Sequence, residues 1–182
     1  KFEATVRCCT QNGVRGGSAT VHFPIWHQEI EDILVLKNNK GTEDNRVRKL
    51  DYSIQMSKLF YERFIKNEDI TLFSPNNTPG LYEAFGMPEF DELYLKYEKD
   101  KSVPKSTIGA QELFMDLLKE RAETGRIYIM NIDHCNTHSS FKDRVTMSNL
   151  CQEITLPTDP IQHIDGAGEI ALCILSAINV GK

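Results

Sequence analysis

The sequence predicts an α/β fold, and three observations carry that prediction. Short β-prone runs alternate with longer helix-like segments, the order that layers helices over a sheet. The longer segments place apolar residues at helical spacing, as a half-buried helix requires. Polar, turn-rich loops separate these segments, and no repeat at a fixed period runs through them.

In chain order, KFEATVRCC reads as the last turns of a helix, and the glycine-rich QNGVRGG leads into a strand over 19–23. Pro24 then starts a helix expected over 26–37, with Trp26, Ile30, Ile33 and Leu34 as its buried stripe. Residues 50–55 alternate as a strand does and precede a helix over 56–66. A strand over 70–73 ends at the turn-rich SPNNTPG. A helix over 88–99 is broken by 102–106. A long amphipathic helix over 107–123 follows, with Ile108, Leu113, Phe114, Leu117 and Leu118 on its apolar face and Gly125 as its stop. Further strands are expected over 126–130, 150–156 and 169–175, with polar loops between them. Loops held on a rigid scaffold are where chemistry tends to sit.

Composition narrows the function. The 182 residues are 40% apolar, enough for one sizeable core, and 26% charged. A net charge of -5 lacks the basic excess of a nucleic-acid binder. The one basic stretch, 37–49, is interrupted by Glu43 and Asp44 and reads as a solvated loop. No apolar run reaches the roughly 18 to 20 residues of a membrane span, and no signal-peptide pattern opens the chain. The five cysteines have no disulfide-scaffold spacing, so a cytoplasmic protein without a membrane or nucleic-acid partner is expected. Both ends read as cut, so residues 1–182 are expected to be one partial domain, incomplete at each end.

Four features can carry chemistry. In SNLCQEITLP, an extended chain would project Asn149, Cys151 and Glu153 to one side. An amide, a thiol and a carboxylate then share a face, offering a hydrogen-bonding group, a nucleophile or hydrogen-atom carrier, and a general base. An edge strand with ordinary polar decoration gives the same pattern. In QNGVRGG, three glycines let main-chain amides approach a phosphate or base, and Arg15 can pair with one or stack on the other. That loop matches neither the P-loop nor the dinucleotide fingerprint. Cys173, in EIALCIL, is a buried structural cysteine by default or half of a redox pair, and no nearby cysteine is an evident partner. Cys135 with His134 and His138 resembles half a zinc site, but His22 and His27 stand far off and no second pair fits, so no metal site is predicted. Adjacent Cys8 and Cys9 receive no chemistry.

Ordered blocks then identify a resemblance. GVRGG, HFPIWH, LVLKNNKG, NRVRKLDY, DITLFSP, GLYEAF, YEKD, GRIYIMNIDHCNTH, SNLCQEITLP and GEIALC run nearly end to end. Their order and spacing resemble the large subunit of class I ribonucleotide reductases. The resemblance implies part of a ten-stranded α/β barrel, built of two parallel five-stranded halves, with a central finger loop that carries the radical cysteine at its tip. It places that cysteine at Cys151, which as a thiyl abstracts the 3′-hydrogen of a ribonucleotide. Glu153 corresponds to the glutamate that takes the 3′-hydroxyl proton, and Asn149 to the asparagine that binds the sugar. Cys173 corresponds to one thiol of the substrate-reducing pair, whose partner lies upstream of Lys1. The loop from Cys9 to Gly17 corresponds to the specificity loop, which includes Gly16 and Gly17 and in which Gln11 and Arg15 occupy the positions that touch the base.

The same resemblance implies ribonucleoside diphosphate substrates, ATP and deoxynucleotide effectors on the full subunit, and a homodimer of large subunits. Thioredoxin or glutaredoxin is the implied reductant. No cofactor is expected on this segment, because the radical comes from a metal cofactor in a separate small subunit. The nucleotide-binding cone, the effector loop, the first dithiol cysteine, the radical-relay tyrosines and the cysteine tail are not among these residues. The segment alone is therefore expected to be catalytically silent and poorly stable, since part of a barrel exposes sheet edges. Two other readings remain at this point. One is a cysteine-dependent hydrolase or transferase using Cys151 or Cys135 with His134 or His138; the other is a non-catalytic nucleotide-binding module built on residues 11–17.

Overall fold

The structure, a computed structural model, describes residues 1–159, 161, 163 and 166–181. After a short helix α1 (Phe2–Cys8), three strands build a parallel sheet in the order β1 (Thr20–Pro24), β2 (Asp51–Met56), β5 (Ile127–Asn131). Register sets Val21 opposite Tyr52 and Phe23 opposite Ile54, and Ile54 in turn opposite Ile129. Side chains alternate across a strand, so Val21, Phe23, Tyr52, Ile54 and Ile129 share one face. They pack into the hydrophobic core with α2 (Ile30–Leu34), α3 (Lys58–Lys66) and α6 (Ala110–Thr124). The opposite face carries Thr20, His22, Ser53 and Gln55, and these polar side chains receive the loop described below.

A second, antiparallel pair joins β3 (Asp69–Phe73) to β4 (Lys105–Gly109), with Ile70 opposite Ile108. It is tied to the end of β1 through Phe73, whose N–H donates to the Trp26 carbonyl at 2.8 Å and whose carbonyl accepts from the Gln28 N–H at 2.9 Å. Between the two strands lie α4 (Leu81–Ala84) and α5 (Phe90–Lys99). After β5 comes α7 (Ile132–Thr137).

Local chemistry explains the boundaries. Ser57 caps α3 by accepting the Phe60 N–H at 3.4 Å, and Asn67 ends it in the left-handed region at φ 55°. Gly125, at φ 65°, closes α6 with its N–H on the Arg121 carbonyl at 2.7 Å. The core centres on Trp26, Phe85, Phe90 and Tyr94, with Trp26 edge-on to Phe85 at 5.7 Å and Phe85 against Phe90 at 4.8 Å. Beside it, Arg63 forks onto both oxygens of Glu98 at 2.6 Å, and the Thr71 hydroxyl donates to the same carboxylate at 2.5 Å.

Four expected elements differ. The helix expected over 26–37 shrinks to Ile30–Leu34, because the main chain at Trp26 and Gln28 is committed to Phe73; the stripe of Trp26, Ile30, Ile33 and Leu34 is nonetheless buried. Residues 105–109 form β4 rather than a break and a first helical turn, since a ladder with β3 satisfies their backbone and sets Ile108 on Ile70. The helix thus starts at Ala110, and Leu118 is 36% exposed. Residues 150–156 form a turn and loop, not a strand. Residues 169–175 make one bridge, Asp159 with Glu169, and no strand. The 37–49 stretch is the loop expected, anchored where Lys37 pairs with Asp51 at the start of β2 and where Arg48 meets Glu43 at 2.9 Å.

Candidate functional site

The segment that carries Cys151 is built from its anchor upward. Arg144 donates to the Tyr82 and Phe85 carbonyls at 2.8 and 3.1 Å. Val145 is fully buried, and its N–H and carbonyl are both engaged by the Asn136 side chain, at 2.8 and 3.0 Å. From there the chain crosses the polar face of the parallel sheet. Gln55 donates to the Thr146 carbonyl at 2.7 Å, Thr20 donates to the Leu150 carbonyl at 2.7 Å, and the Gln152 amide donates to the Ser53 hydroxyl.

The loop also closes on itself. Asn149 N–H donates to the Ile154 carbonyl at 3.2 Å, and Ile154 N–H returns to Asn149 Oδ1 at 3.0 Å. Ser148 Oγ donates to the Ile154 carbonyl at 2.6 Å, and Gln152 N–H to the Asn149 carbonyl at 3.3 Å. Gln152 sits in the left-handed region at φ 68°, which is uncommon for a residue with a Cβ. The outcome is a tight tip on which Cys151 and Glu153 are exposed while Gln152 turns in towards the sheet.

The single extended face expected for Asn149, Cys151 and Glu153 does not form, because a turn replaces the strand. Cys151 and Glu153 are each exposed, whereas Asn149 is half-buried and its side-chain Oδ1 closes the loop. Its Nδ2 is the part left for a ligand. Asn149 also lines a cleft of about 220 Å³ with Met147, Ile154, Leu156, Leu172 and Cys173. The structure thus brings Cys173 to the flank of the loop through Asn149, whereas Cys151 and Glu153 stand outside that lining. Cys173 is exposed, contrary to the buried default.

The second loop precedes β1. Asn12 and Gly13 both have positive φ, 51° and 71°, and Val14 N–H donates to the Gln11 carbonyl at 3.0 Å. That is the two-residue turn that Asn-Gly favours. Gln11 N–H closes onto the Arg15 carbonyl at 2.8 Å, and Cys9, Gln11 and Arg15 are exposed. Gly17 lies so close to the end of α1 that a Cβ would stand 2.2 Å from the Val6 carbonyl oxygen and 2.4 Å from that of Cys9. Gly16 meets nothing within 4 Å. Thr20 links the two loops, since it starts the strand that the 9–17 loop feeds and holds the Leu150 carbonyl beside Cys151.

Thr20, His22, Ser53 and Gln55 were not expected as part of the site. Their signal is the polar residue at every second position of strands whose other positions are apolar. Burial holds the His22 imidazole below its ordinary value. Neither ring nitrogen of His22 has a hydrogen-bond partner among the described residues. Burial also raises the Cys135 thiol. His138 Nδ1 lies 3.2 Å from the His134 carbonyl and 3.3 Å from the Thr137 hydroxyl. Among the described residues no group of three or more His, Cys, Asp or Glu is placed to hold a metal ion, and no helix is long and apolar enough to cross a membrane.

Comparison with known proteins bears on the whole chain. The model of the ribonucleotide reductase barrel domain matches residues 1–182. The ribonucleoside-diphosphate reductase subunit alpha of Haemophilus influenzae is 59% identical over 187 residues, covering 100% of this chain and 25% of that relative. The ribonucleoside-diphosphate reductase 1 subunit alpha of Escherichia coli is 56% identical over 88% of this chain and 22% of its own length. The subunit alpha of Enterobacteria phage T4 is 48% identical over 97% of this chain and 24% of its own. The chain therefore spans about a quarter of the length of these curated relatives. With a parallel sheet, helices on its apolar face and a loop on its polar face, the chain belongs to the ribonucleotide reductase barrel domain family.

Proposed function

We propose that this chain is the portion of a ribonucleoside-diphosphate reductase catalytic subunit that holds the radical cysteine. The observation that carries the proposal is the loop at 145–154, anchored along the polar face of a barrel-family sheet with the Cys151 thiol exposed at its tip. In this reading the loop is the finger of the barrel. A thiyl on Cys151, generated from the metal cofactor of a separate small subunit, takes the 3′-hydrogen of a ribonucleoside diphosphate, so that an S–H bond forms as the C3′–H bond breaks. Glu153, exposed two residues on, accepts the 3′-hydroxyl proton as general base. The 2′-hydroxyl leaves as water, taking its proton from a thiol of the reducing pair, while Asn149 Nδ2 holds the sugar oxygen; the Cys151 S–H later returns its hydrogen to C3′, which restores the thiyl.

Two electrons must then reach the sugar. Cys173 supplies them with a second thiol from outside these residues, and the resulting disulfide is re-reduced by thioredoxin or glutaredoxin. The cleft shared by Asn149 and Cys173 supports this assignment. The 9–17 loop, a preformed turn with Gln11 and Arg15 exposed, acts as the specificity loop that answers to ATP or deoxynucleotide effectors in a homodimer. The protein is assigned to the cytoplasm, where such reductants operate. The hydrolase reading fares worse. Burial raises the Cys135 thiol, which lowers its thiolate fraction at neutral pH.

The experiment is single-turnover reduction by the complete subunit with its small subunit. Cys173→Ser should still consume the radical and release the base or oxidised sugar products without yielding deoxynucleotide. Clean deoxynucleotide formation by Cys173→Ser would remove it from the dithiol. Fast alkylation of Cys135 at neutral pH, with loss of activity, would instead favour the hydrolase reading.

A further inference from the structure

The polar face of the β1-β2-β5 sheet carries side chains that no chemical step above uses. Ser53 is 0% exposed and Gln55 1%, and a polar group buried this deeply is costly unless hydrogen-bonded. Each bonds the Cys151 loop, and Gln55 Nε2 also lies 3.8 Å from Met130 Sδ on β5. Gln55 Nε2 donates to the Thr146 carbonyl at 2.7 Å, where the loop enters the sheet face. Ser53 Oγ accepts from the Gln152 amide, and the Thr20 hydroxyl donates to the Leu150 carbonyl at 2.7 Å. Leu150 and Gln152 are the two chain neighbours of Cys151, so the cysteine is bracketed. Gln152 is also the residue at φ 68°, a conformation that persists in a residue with a Cβ only where its surroundings over-determine it.

We propose that Thr20, Ser53 and Gln55 form a seat that fixes the height and direction of the Cys151 thiol, as positioning residues for the hydrogen-atom transfer. The inference rests on the assignment of Cys151 made above. Transfer between sulfur and carbon requires near contact, and an ångström of misplacement costs orders of magnitude in rate. The Thr20 bond holds the main chain just before the cysteine and the Ser53 bond holds the Gln152 side chain just after it, which prevents the thiol from sliding along the sheet. The Gln55 bond fixes where the loop begins its crossing. All three donors and acceptors stand on strands, the most rigid elements available.

The test uses the complete subunit, its radical-generating partner and a substrate carrying deuterium at C3′. Thr20→Val, Ser53→Ala and Gln55→Leu should each lower kcat about tenfold or more. KM and substrate affinity should stay within about twofold. The isotope effect on kcat should grow, because a displaced thiol makes hydrogen transfer more rate-limiting. Thr20→Ser keeps the hydroxyl and should restore both kcat and the isotope effect. Gln152→Gly relaxes the left-handed backbone but removes the tether, so kcat should fall; activity at the wild-type level there would overturn the seat. Thr20 and Gln152 are partly exposed, so their variants carry the test should Gln55→Leu fail to fold. Unchanged kcat and isotope effect in Thr20→Val, beside an inactive Cys151→Ser, would overturn the seat alone. An active Cys151→Ser would overturn the assignment beneath it.

Discussion

At the scale of single residues, the chemistry assigned here depends on what each side chain is free to do. Asn149 uses its Oδ1 to close the loop, accepting from the Ile154 N–H. Asn149→Ala should therefore loosen the loop as well as weaken sugar binding, lowering kcat and raising KM together; Asn149→Asp keeps the acceptor and should shift mainly KM. Gly17 makes a second prediction. Any side chain there meets the carbonyls of Val6 and Cys9, so Gly17→Ala must push the 9–17 loop off α1. The expected result in the complete subunit is loss of effector-dependent substrate preference with reduction itself retained, measured as product ratios in mixed-substrate assays. The residue pattern N-x-C-x-E was legible in the sequence only as one of two readings, and the ordered blocks favour the chemical one by resemblance. The seat of Thr20, Ser53 and Gln55 was not legible, because alternation marks a polar face without saying what lies on it.

At the scale of elements, the structure shows which local preferences yield to pairing. Lys105 to Gly109 joined a β ladder because Ile108 gains Ile70 as a partner, and a strand is stabilised by such cross-strand contacts more than by intrinsic propensity. The segment 169–175 has the opposite fate. Its apolar residues have no described partner strand, so the same propensity produces no strand. Elements with local signals, such as α3 between Ser57 and Asn67 or the stop of α6 at Gly125, were readable to within a few residues.

The join between β3, α3 and α5 gives a third prediction. Burial pushes the Glu98 carboxyl up, but the bonds from Arg63 and Thr71 outweigh it and hold the group below its ordinary value. Its stabilising contribution is therefore present above the ordinary carboxylate range and is lost as pH falls through the folded value. Removing one partner of this half-buried pair, by Glu98→Gln, should cost about 2–4 kcal/mol near neutral pH. The Tm difference from wild type should shrink as the pH is lowered from about 6 to about 3. A constant difference across that range would show that the loss is steric.

At the scale of the whole molecule, the exposed surface is the informative feature. Leu172, Ile174, Leu175, Ile178 and Val180 are all more than four-fifths exposed, forming an apolar run that a soluble domain seldom leaves in water. The chain spans a quarter of the length of its relatives, and the rest of the barrel is the expected cover for this run. Prepared alone, the 182-residue chain should self-associate, and light scattering should fall on replacing Leu172 and Ile174 with serine. In the complete subunit the same pair of substitutions should lower stability instead. The barrel itself was legible only through the resemblance, since the described residues form three parallel strands and a loop on their polar face.

The central claim is that Cys151 carries the hydrogen atom, and one measurement addresses it directly. The complete Cys151→Ser subunit, assembled with its small subunit, is given substrate deuterated at C3′, and deoxynucleotide formation is followed beside nucleotide binding. The expected result is wild-type nucleotide affinity and no deoxynucleotide above background, with a normal isotope effect in the wild-type enzyme. Reduction by Cys151→Ser at a rate near wild type, with the same isotope effect, would contradict it and move the radical site elsewhere.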